Sequence, residues 1–205
     1  MFRLVLLTAS TAVPDEPRLL ADLLALLTPP HRLHLRKPDW SEGQVEALIR
    51  ALPSQTWPQL VLHAHPRLVR RYRLGGLHLT GRQRAATQRR PALLPGQSLS
   101  TSFHTLAEIS RCRRRYDYVF LSPIFDSISK TGYASNFDLA DLEAVLPALA
   151  TRPGHRPAVL ALGGIAAQNI GLVQQAGFAG AAVLGAVWQH ADPVAAWQAV
   201  AVASR

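Results

Sequence analysis

The feature of this sequence that most constrains its fold is a series of eight short apolar runs, each ending in polar residues or glycine. Between them lie segments with apolar residues at helical spacing, such as the one with Leu139, Leu142 and Leu146. Short apolar strands that alternate with helices indicate parallel βα units, and eight of them predict a single (β/α)8 TIM barrel. The predicted strands cover residues 3–9, 32–37, 59–65, 75–80, 97–102, 118–122, 158–162 and 179–184. We expect one domain over residues 1–205.

Local signals mark where several helices begin. Ser41 and Gln44 have the spacing of a capping box, in which each side chain satisfies a free backbone N–H at the start of a helix. Pro66 and Pro193 stand where a first helical turn tolerates proline. Further helices are predicted over about 18–27 and 105–114.

Composition limits the class of protein. The hydrophobic content of 48% is enough for a sizeable core, but no apolar run is long enough to span a bilayer. The apolar run at 4–7 is too short for a convincing signal peptide. The single cysteine, Cys112, excludes an internal disulfide and a multi-cysteine zinc site. These features predict a soluble cytoplasmic protein.

The formal net charge of +9 raises the question of a nucleic-acid partner. Arginines cluster within residues 70–73, 82–90 and 111–115, but no stacking aromatics are interleaved and no recognition motif accompanies them. We interpret the clusters as solvated outer faces that raise the encounter rate with anionic small molecules. We therefore predict neither a nucleic-acid nor a membrane partner.

Four histidines lie in or after the predicted second, third and fourth strands: His34, His63, His65 and His78. Active sites of TIM barrels lie at the C-terminal ends of the strands, so these imidazoles are candidates for one site. They could act as metal ligands, as general acids and bases, or as polar side chains that fill the barrel. His63 and His65 are two residues apart, which predicts side chains on the same face of a strand.

Carboxylates are missing where a magnesium site would need them. No acidic residue ends the predicted third or fourth strand, and a magnesium-pyrophosphate site normally uses carboxylate oxygens. We therefore predict no metal site, and an arrangement suited to anion binding and imidazole proton transfer.

The stretch at 119–132 reads VFLSPIFDSISKTG, an apolar strand followed by a polar loop. Its hydroxyl groups and its lysine suit an anion such as phosphate. The chain has 20 arginines but only two lysines, Lys37 and Lys130, and both follow a predicted strand. Since an ammonium group is not interchangeable with a guanidinium, these lysines are candidates for functional cations.

Glycines follow the predicted seventh and eighth strands, at Gly163, Gly164 and Gly185. Phosphate groups commonly bind backbone N–H groups at these two places in TIM barrels. Glycines at both of these positions favour a phosphate site over tight turns alone. Ala186, which follows Gly185, is a further candidate phosphate-binding residue.

Several segments, taken in order, resemble the family of thiamine phosphate synthase and its TenI-type relatives over nearly the whole chain. They are HLRK at 34–37, GGLHL at 75–79, SFHTLAE at 102–108, SPIF at 122–125 with Ser127, Ser129 and Lys130, LGGI at 162–165 with Asn169, and residues 177–186. The resemblance implies a (β/α)8 barrel with a thiazole phosphate site near Gly164 and Gly185. It also implies a pyrimidine site near Arg36, Ser102 and Lys130.

The chain departs from this family where the resemblance assigns magnesium and pyrophosphate binding. The synthase has an Asn-Asp pair at the end of strand three and an acid just after strand four, and this chain has His63-Ala64 and Gln83 there. The usual glutamine of strand two is His34, and the histidine that TenI-type enzymes carry after strand six is Ser122.

We therefore expect a thiamin-pathway enzyme that binds thiazole phosphate and tautomerises thiazole carboxylate phosphate by imidazole acid/base catalysis, without a cofactor. The expected catalytic residues are His63, His65, His78 and Lys130. The expected substrate-binding residues are His34, Arg36, Lys37, Ser102, Ser122, Ser127 and Ser129. The expected phosphate-binding residues are Gly163, Gly164, Asn169, Gly185 and Ala186.

Two other functions stay open. One is a thiamine phosphate synthase that couples hydroxymethylpyrimidine diphosphate to thiazole phosphate with Mg²⁺, and the other is a non-catalytic binder of thiamin intermediates. A homo-oligomer also stays open.

Overall fold

The computed structural model describes residues 1–126, 137–151 and 154–205. Eight parallel strands pair in chain order and close into a barrel, with the eighth strand against the first. This confirms the predicted (β/α)8 TIM barrel. The strands are β1 (Arg3–Leu7), β2 (Arg32–Leu35), β3 (Leu60–His63), β4 (Gly76–Leu79), β5 (Ser98–Phe103), β6 (Tyr118–Leu121), β7 (Ala158–Leu162) and β8 (Gly180–Val183).

Helices lie between the strands and after the last one. They are α1 (Glu16–Leu26), α2 (Glu42–Ala51), α3 (Pro66–Arg71), α4 (Gly81–Ala86), α5 (Leu106–Arg111), α6 (Leu139–Thr151), α7 (Ile170–Gln175), α8 (Gly185–Trp188) and α9 (Pro193–Ala203). A 3₁₀ segment at Ser54–Gln59 precedes β3. None of the helices in these described ranges has the length and apolar character needed to cross a membrane.

The local helix signals are confirmed. Ser41 and Gln44 form the capping box of α2, and Pro66 and Pro193 stand in the first turns of α3 and α9. The sequence analysis had assigned no helix directly after β4. In the structure Thr80 and Gln83 make a second capping box there, which starts α4.

The prediction that the third strand reaches residue 65 is wrong. The strand ends at His63, and Ala64 and His65 have φ angles of 77° and 50°. Both angles lie in the left-handed region, which breaks the alternation of side chains along a strand. His63 and His65 therefore do not share a strand face.

The apolar core has two layers. The larger one lies between the strands and the surrounding helices and includes Leu6, Leu20 and Leu33. The smaller one lies inside the barrel, where alternate residues of each strand point inward. The contents of this inner layer position the candidate site.

Candidate active site

The inside of the barrel is divided into an apolar half and a polar half. The apolar half consists of the fully or almost fully buried Val5, Leu7, Tyr118, Phe120, Leu160 and Ala182, from β1, β6, β7 and β8. The polar half includes six inward side chains of β2 to β5, which are His34, His63, His78, Ser98, Ser100 and Ser102. Tyr118 belongs to the apolar half by its ring and meets the polar half with its hydroxyl.

The strand register explains why these polar groups meet. His63 is the direct neighbour of His78, His78 of Ser100, and Ser100 of Tyr118, so four side chains form one row across β3 to β6. Alternation along β5 also places Ser98 and Ser102 on the inner face, on either side of Ser100. Side chains in such a row face one another across the sheet.

Hydrogen bonds connect the row to His34. The Nδ1 atom of His34 lies 3.0 Å from Nε2 of His63, and its Nε2 atom lies 2.6 Å from the Tyr118 hydroxyl. On the other side of the row, His78 Nδ1 lies 2.9 Å from Ser100 Oγ and His78 Nε2 lies 3.1 Å from Ser102 Oγ. The rings of His63 and His78 stack with their centroids 4.2 Å apart and an angle of 22° between their planes.

The three imidazoles of this cluster are kept neutral. Burial is the main cause that lowers the pKa of His34 and His63 well below the ordinary value, and repulsion from His78 adds to it. Burial, followed by the positive charge of Arg36, lowers the pKa of His78 to about 3. Burial also raises the pKa of Tyr118 to about 12, so its hydroxyl keeps its proton. At neutral pH every group of the cluster can act as both donor and acceptor.

No carboxylate balances the imidazoles. All 13 acidic residues of the chain lie within the described ranges, and none of them affects the pKa of His34, His63 or His78. The Nδ1 atom of His63 is buried and has no hydrogen-bond partner among the described residues. An unpaired buried nitrogen is costly, so it marks a position that a ligand group would satisfy.

Within the part of the chain that the structure describes, the same three histidines form the group that could hold a metal ion. One nitrogen from each of His34, His63 and His78 lies within 4.8 Å of the others. Their arrangement fits a metal poorly, because His63 and His78 are stacked almost parallel and cannot both direct a lone pair at one ion. All ring nitrogens except His63 Nδ1 also have a protein partner already.

His65 lies apart from this cluster. Its Nδ1 atom is 3.0 Å from a carboxylate oxygen of Glu42, in the first turn of α2, and the residue precedes α3. Its left-handed backbone directs the side chain to this outer contact. The structure therefore does not bring His65 together with His63 and His78.

Lys37 is committed to a buried ion pair. Its Nζ atom lies 2.5 Å from a carboxylate oxygen of Glu16 and donates to the carbonyl oxygen of Thr11 at 2.7 Å. The side chain is fully buried and its ammonium also lies over the ring of Trp40. The ammonium thus holds the loop after β1 to the end of β2, and the expectation that Lys37 binds substrate is not supported by this geometry.

Other predicted substrate-binding residues lie at the mouth of the barrel. Arg36 is partly exposed, and its positive charge acts on both His63 and His78. Ser102 is also partly exposed and touches His78. Ser122 is buried, and its carbonyl oxygen accepts from His104 Nδ1 at 2.9 Å. Ser127, Ser129 and Lys130 lie outside the described residues.

The glycines after β7 shape a tight loop. Gly163 and Gly164 have φ angles of 99° and 64°, which other residues rarely adopt. A Cβ on Gly164 would come within 2.6 Å of Phe125 Cβ, because this loop runs against the segment after β6. Asn169 stabilises the turn: its Nδ2 donates to Gly164 O and its Oδ1 accepts from Ala166 N–H, both at 2.8 Å. The side chain of Asn169 therefore holds the loop.

Gly185 and Ala186 begin α8 at the end of β8 and line a cavity of about 390 Å³. Ala166, Ala167 and Gln168 from the loop after β7 line the same cavity, and α9 closes its outer side. The structure thus brings together the two segments where phosphate was predicted.

Two central residues, Ser100 and Tyr118, were missed as site residues by the sequence analysis. The signal for Ser100 was available, since β5 reads Ser-Leu-Ser-Thr-Ser and places three hydroxyls on one face of a buried strand. The role of Tyr118 had no comparable signal, because an aromatic residue at the start of a strand is most often core.

Comparison with known proteins decides the family. A family model described as thiamine monophosphate synthase matches residues 6–187. The chain belongs to this family. Members of the thiamine monophosphate synthase family act in thiamin biosynthesis, on phosphorylated thiazole and pyrimidine substrates.

Individual members of the family show the same relationship. A thiamine-phosphate synthase of Bacteroides fragilis is 25% identical over 166 residues, which cover 79% of this chain and 81% of that protein. The crystal structure of a thiamine phosphate pyrophosphorylase from Bacteroides thetaiotaomicron superimposes with a TM-score of 0.80 at 26% identity, over 99% of this chain and 98% of that one. One from Pyrococcus furiosus shares the fold, with a TM-score of 0.73 at 15% identity over 99% and 95%.

The structure adds detail to one of the departures from the thiamine monophosphate synthase family. Gln83, which stands where the synthase has an acid, accepts from the Thr80 N–H with its side-chain oxygen at 2.9 Å. Its amide oxygen is used by the capping box of α4. This position therefore serves the start of a helix.

Proposed function

We propose that this chain catalyses a metal-independent proton transfer on a phosphorylated thiazole, the tautomerisation of thiazole carboxylate phosphate. The observation that supports this proposal is the buried group of neutral imidazoles with an unpartnered nitrogen at His63 Nδ1. A neutral imidazole can accept a proton at a free ring nitrogen, and no carboxylate of the described residues competes for the proton at this position.

Arg36 and the two loops after β7 and β8 would hold the substrate. The thiazole phosphate would bind backbone N–H groups near Gly164 and Gly185, in the loops after β7 and β8 where TIM barrels commonly hold a phosphate. Arg36 would pair with the carboxylate of the substrate above His63 and His78. Within this proposal Ser127, Ser129 and Lys130 stay candidates for contacts to the same anion.

The test is direct. Purified protein is incubated with thiazole carboxylate phosphate in the presence of a chelator, and conversion between tautomers is followed by NMR. We expect conversion to continue with the chelator and to fall about 100-fold in kcat for His63→Gln, since a general base typically contributes that much or more. His155→Gln is the matched control, because His155 is exposed and its Nε2 contacts the carbonyl oxygen of Tyr116 before β6.

Retained activity in each of His34→Gln, His63→Gln and His78→Gln would contradict the proposal. Thiazole phosphate binding is measured on the same variants by calorimetry. If wild-type protein binds the compound but never converts it, the chain is a non-catalytic binder.

A second candidate function is the coupling of hydroxymethylpyrimidine diphosphate to thiazole phosphate. The similarity to proteins named thiamine-phosphate synthase and thiamine phosphate pyrophosphorylase favours it. This reaction would use Mg²⁺, so thiamin phosphate formed only with added magnesium would replace the tautomerase proposal. A cytoplasmic location and a homo-oligomer stay predictions, to be checked by fractionation of cells and by light scattering.

A further inference from the structure

A cavity of about 520 Å³ lies at the end of the barrel opposite the mouth. Its walls come from residues that begin β2 or precede β3, β4 and β5, among them Arg32, Pro58, Arg73 and Gly96. Cavities of this size hold small organic molecules. Active sites of TIM barrels lie at the other end of the strands, so the proposed reaction does not use this cavity.

The positive charge of this cavity is not balanced. Arg32 and Arg73 line it, and none of the 13 acidic residues, which all lie within the described ranges, makes an ion pair with either of them. Arg32 is partly buried, and burial is the main cause that lowers the pKa of its guanidinium. Because charged groups removed from water are normally paired, an anion from solution would complete the cavity.

Arg3 adds a further positive charge at this end of the barrel. The strand register pairs Arg32 with Val5, two residues after Arg3, so the two arginines lie near the start of neighbouring strands. The guanidinium of Arg3 lies 5.1 Å from the centre of the Tyr118 ring, and its Nε atom is buried without a hydrogen-bond partner among the described residues. Its charge adds to the effect of burial on the pKa of Arg32. A bound anion would offset both effects.

Arg32 has hydrogen-bond donors that the fold does not use. One of its N–H groups donates to the carbonyl oxygen of His31 at 3.1 Å, and its side chain makes no other hydrogen bond with the described residues. A guanidinium carries several N–H donors in a planar fork, which fits two oxygens of one phosphate group. The chemistry of Arg32 therefore favours a phosphate over a halide ion.

The backbone of Arg73 has a conformation that glycine normally adopts. Helix α3 ends in a Schellman motif, in which Leu74 N–H donates to Val69 O at 3.0 Å and Arg73 N–H donates to Arg70 O at 3.3 Å. Arg73 occupies the left-handed position of this motif, with a φ angle of 49°. Glycine would adopt it without strain, whereas a residue with a Cβ loses stability there. This strain indicates a function for the arginine side chain.

The loop that borders the cavity is held in place by Gln97. Its Oε1 accepts from Leu94 N–H at 2.8 Å, and its Nε2 donates to Leu74 O at 2.9 Å. Pro58 and Pro95 add rigid apolar surface to the same cavity. Preformed walls with apolar surface and a few charged groups are typical of small-molecule sites.

We propose that this cavity is a second ligand site, which binds a phosphorylated organic molecule at the N-terminal end of the barrel. Arg32 and Arg73 bind the phosphate oxygens, and the apolar part of the ligand packs against Pro58 and Pro95. The site is separate from the loops after β7 and β8 and does not depend on the proposed reaction.

Glycine amides report on the two ends of the barrel separately. Gly75 and Gly96 line the proposed site, whereas Gly164 and Gly185 follow β7 and β8 at the mouth. Phenyl phosphate is added at constant ionic strength to protein labelled with ¹⁵N-glycine, and the amide signals are followed by NMR. We expect Gly75 and Gly96 to shift along one saturable curve. Inorganic phosphate should bind there about tenfold more weakly, because it has no apolar part to bury.

Two variants test the guanidinium groups. Arg32→Gln and Arg73→Gly should each weaken phenyl phosphate binding at Gly75 and Gly96 by about tenfold or more, since hydrogen bonds to charged groups contribute that much. Arg73→Gly should be at least as stable in urea as the wild type, because it relieves the left-handed strain, so its loss of binding cannot come from unfolding. Arg111→Gln is the matched control: it removes the same charge from the exposed last turn of α5, outside the cavity, and should change the affinity by less than about twofold.

Four results would overturn the proposal. Shifts confined to Gly164 and Gly185 would assign all phosphate binding to the mouth. Unchanged affinity in both Arg32→Gln and Arg73→Gly would exclude the guanidinium groups as ligands. An equal loss in Arg111→Gln would indicate attraction to the net charge of +9 instead of a site. Equal affinities for phenyl phosphate and inorganic phosphate would replace the organic ligand by the free ion.

Discussion

The two halves of the barrel interior have the same backbone geometry, but the side chains are apolar in one half and polar in the other. The inward positions of β1, β7 and β8 include Val5, Leu7, Leu160 and Ala182, while those of β2 to β5 include the three histidines and neighbouring serines. Burial of the apolar half contributes to stability through area removed from water, about 25 cal/mol per Å². The polar half gains only the small net energy of hydrogen bonds between neutral groups, about 1 kcal/mol each.

The difference shows where the barrel interior gives up stability. An apolar interior would fill the same space without orphaned nitrogens, but it could not move a proton. The unpartnered buried nitrogen of His63 lowers the stability of the fold, and so does the burial that lowers the pKa of the three imidazoles. A fully apolar core avoids both effects.

Acid should affect the polar half most strongly. His34, His63 and His78 have pKa values below their unfolded value of 6.5, so the unfolded state binds more protons below that pH. Their contribution is fully present above pH 6.5 and is lost as pH falls toward about 3 for His78. Below pH 6.5 each histidine lowers the free energy of unfolding by about 1.4 kcal/mol per pH unit, so the three together lower it by up to about 4 kcal/mol per pH unit. Urea unfolding at a series of pH values from about 7 to about 4 measures this slope.

His78→Gln sharpens this prediction. It removes one of the three titrating groups, so the slope of unfolding free energy against pH should fall by about a third. An unchanged slope would mean that the histidines do not carry the acid sensitivity of the fold.

Substitution of Lys37 tests a buried polar contact that lies apart from the histidine cluster, its ion pair with Glu16. Lys37→Met leaves the buried carboxyl of Glu16 without its partner and should lower the free energy of unfolding by about 3–5 kcal/mol. The double variant Lys37→Met/Glu16→Met should recover most of this loss, because no unpaired charge then remains. A reduced activity with normal stability would instead return Lys37 to the group of substrate-binding residues.

Leu160→Ala removes a large side chain from the apolar half of the barrel interior. Leu160 is completely buried, so the cavity should cost about 2–5 kcal/mol in unfolding free energy. The loss should be the same at every pH, since no titrating group is removed. A changed pH slope would show that the two halves are coupled through their packing.

Ser41→Ala gives the smallest expected effect and calibrates the others. It removes the capping box of α2, outside the barrel, and should cost about 0.5–2 kcal/mol. The pH dependence of the unfolding free energy should not change. Circular dichroism during thermal unfolding measures the loss of stability, and a changed pH dependence would contradict a separation between the helical layer and the barrel interior.

Much of the fold could be predicted because its signals are local. The apolar runs determine the eight strands, and Ser41, Gln44, Pro66 and Pro193 determine where three helices begin. Such features depend on residues a few positions apart, so the chain by itself carries them. The presence of histidines on β2, β3 and β4 could be predicted in the same way.

The site itself depends on contacts between distant residues, and only the tertiary structure decided it. The separation of His63 from His65 follows from two left-handed residues that no local pattern announces. Lys37 meets Glu16 across 21 positions, which turns a candidate substrate ligand into half of an ion pair. Tyr118 on β6 reaches His34 on β2 across 84 positions because both side chains point into the interior of the closed barrel. The sequence by itself determined which residues could do chemistry, and the register of the closed barrel determined which of them meet, since hydrogen bonds act only over about 3 Å.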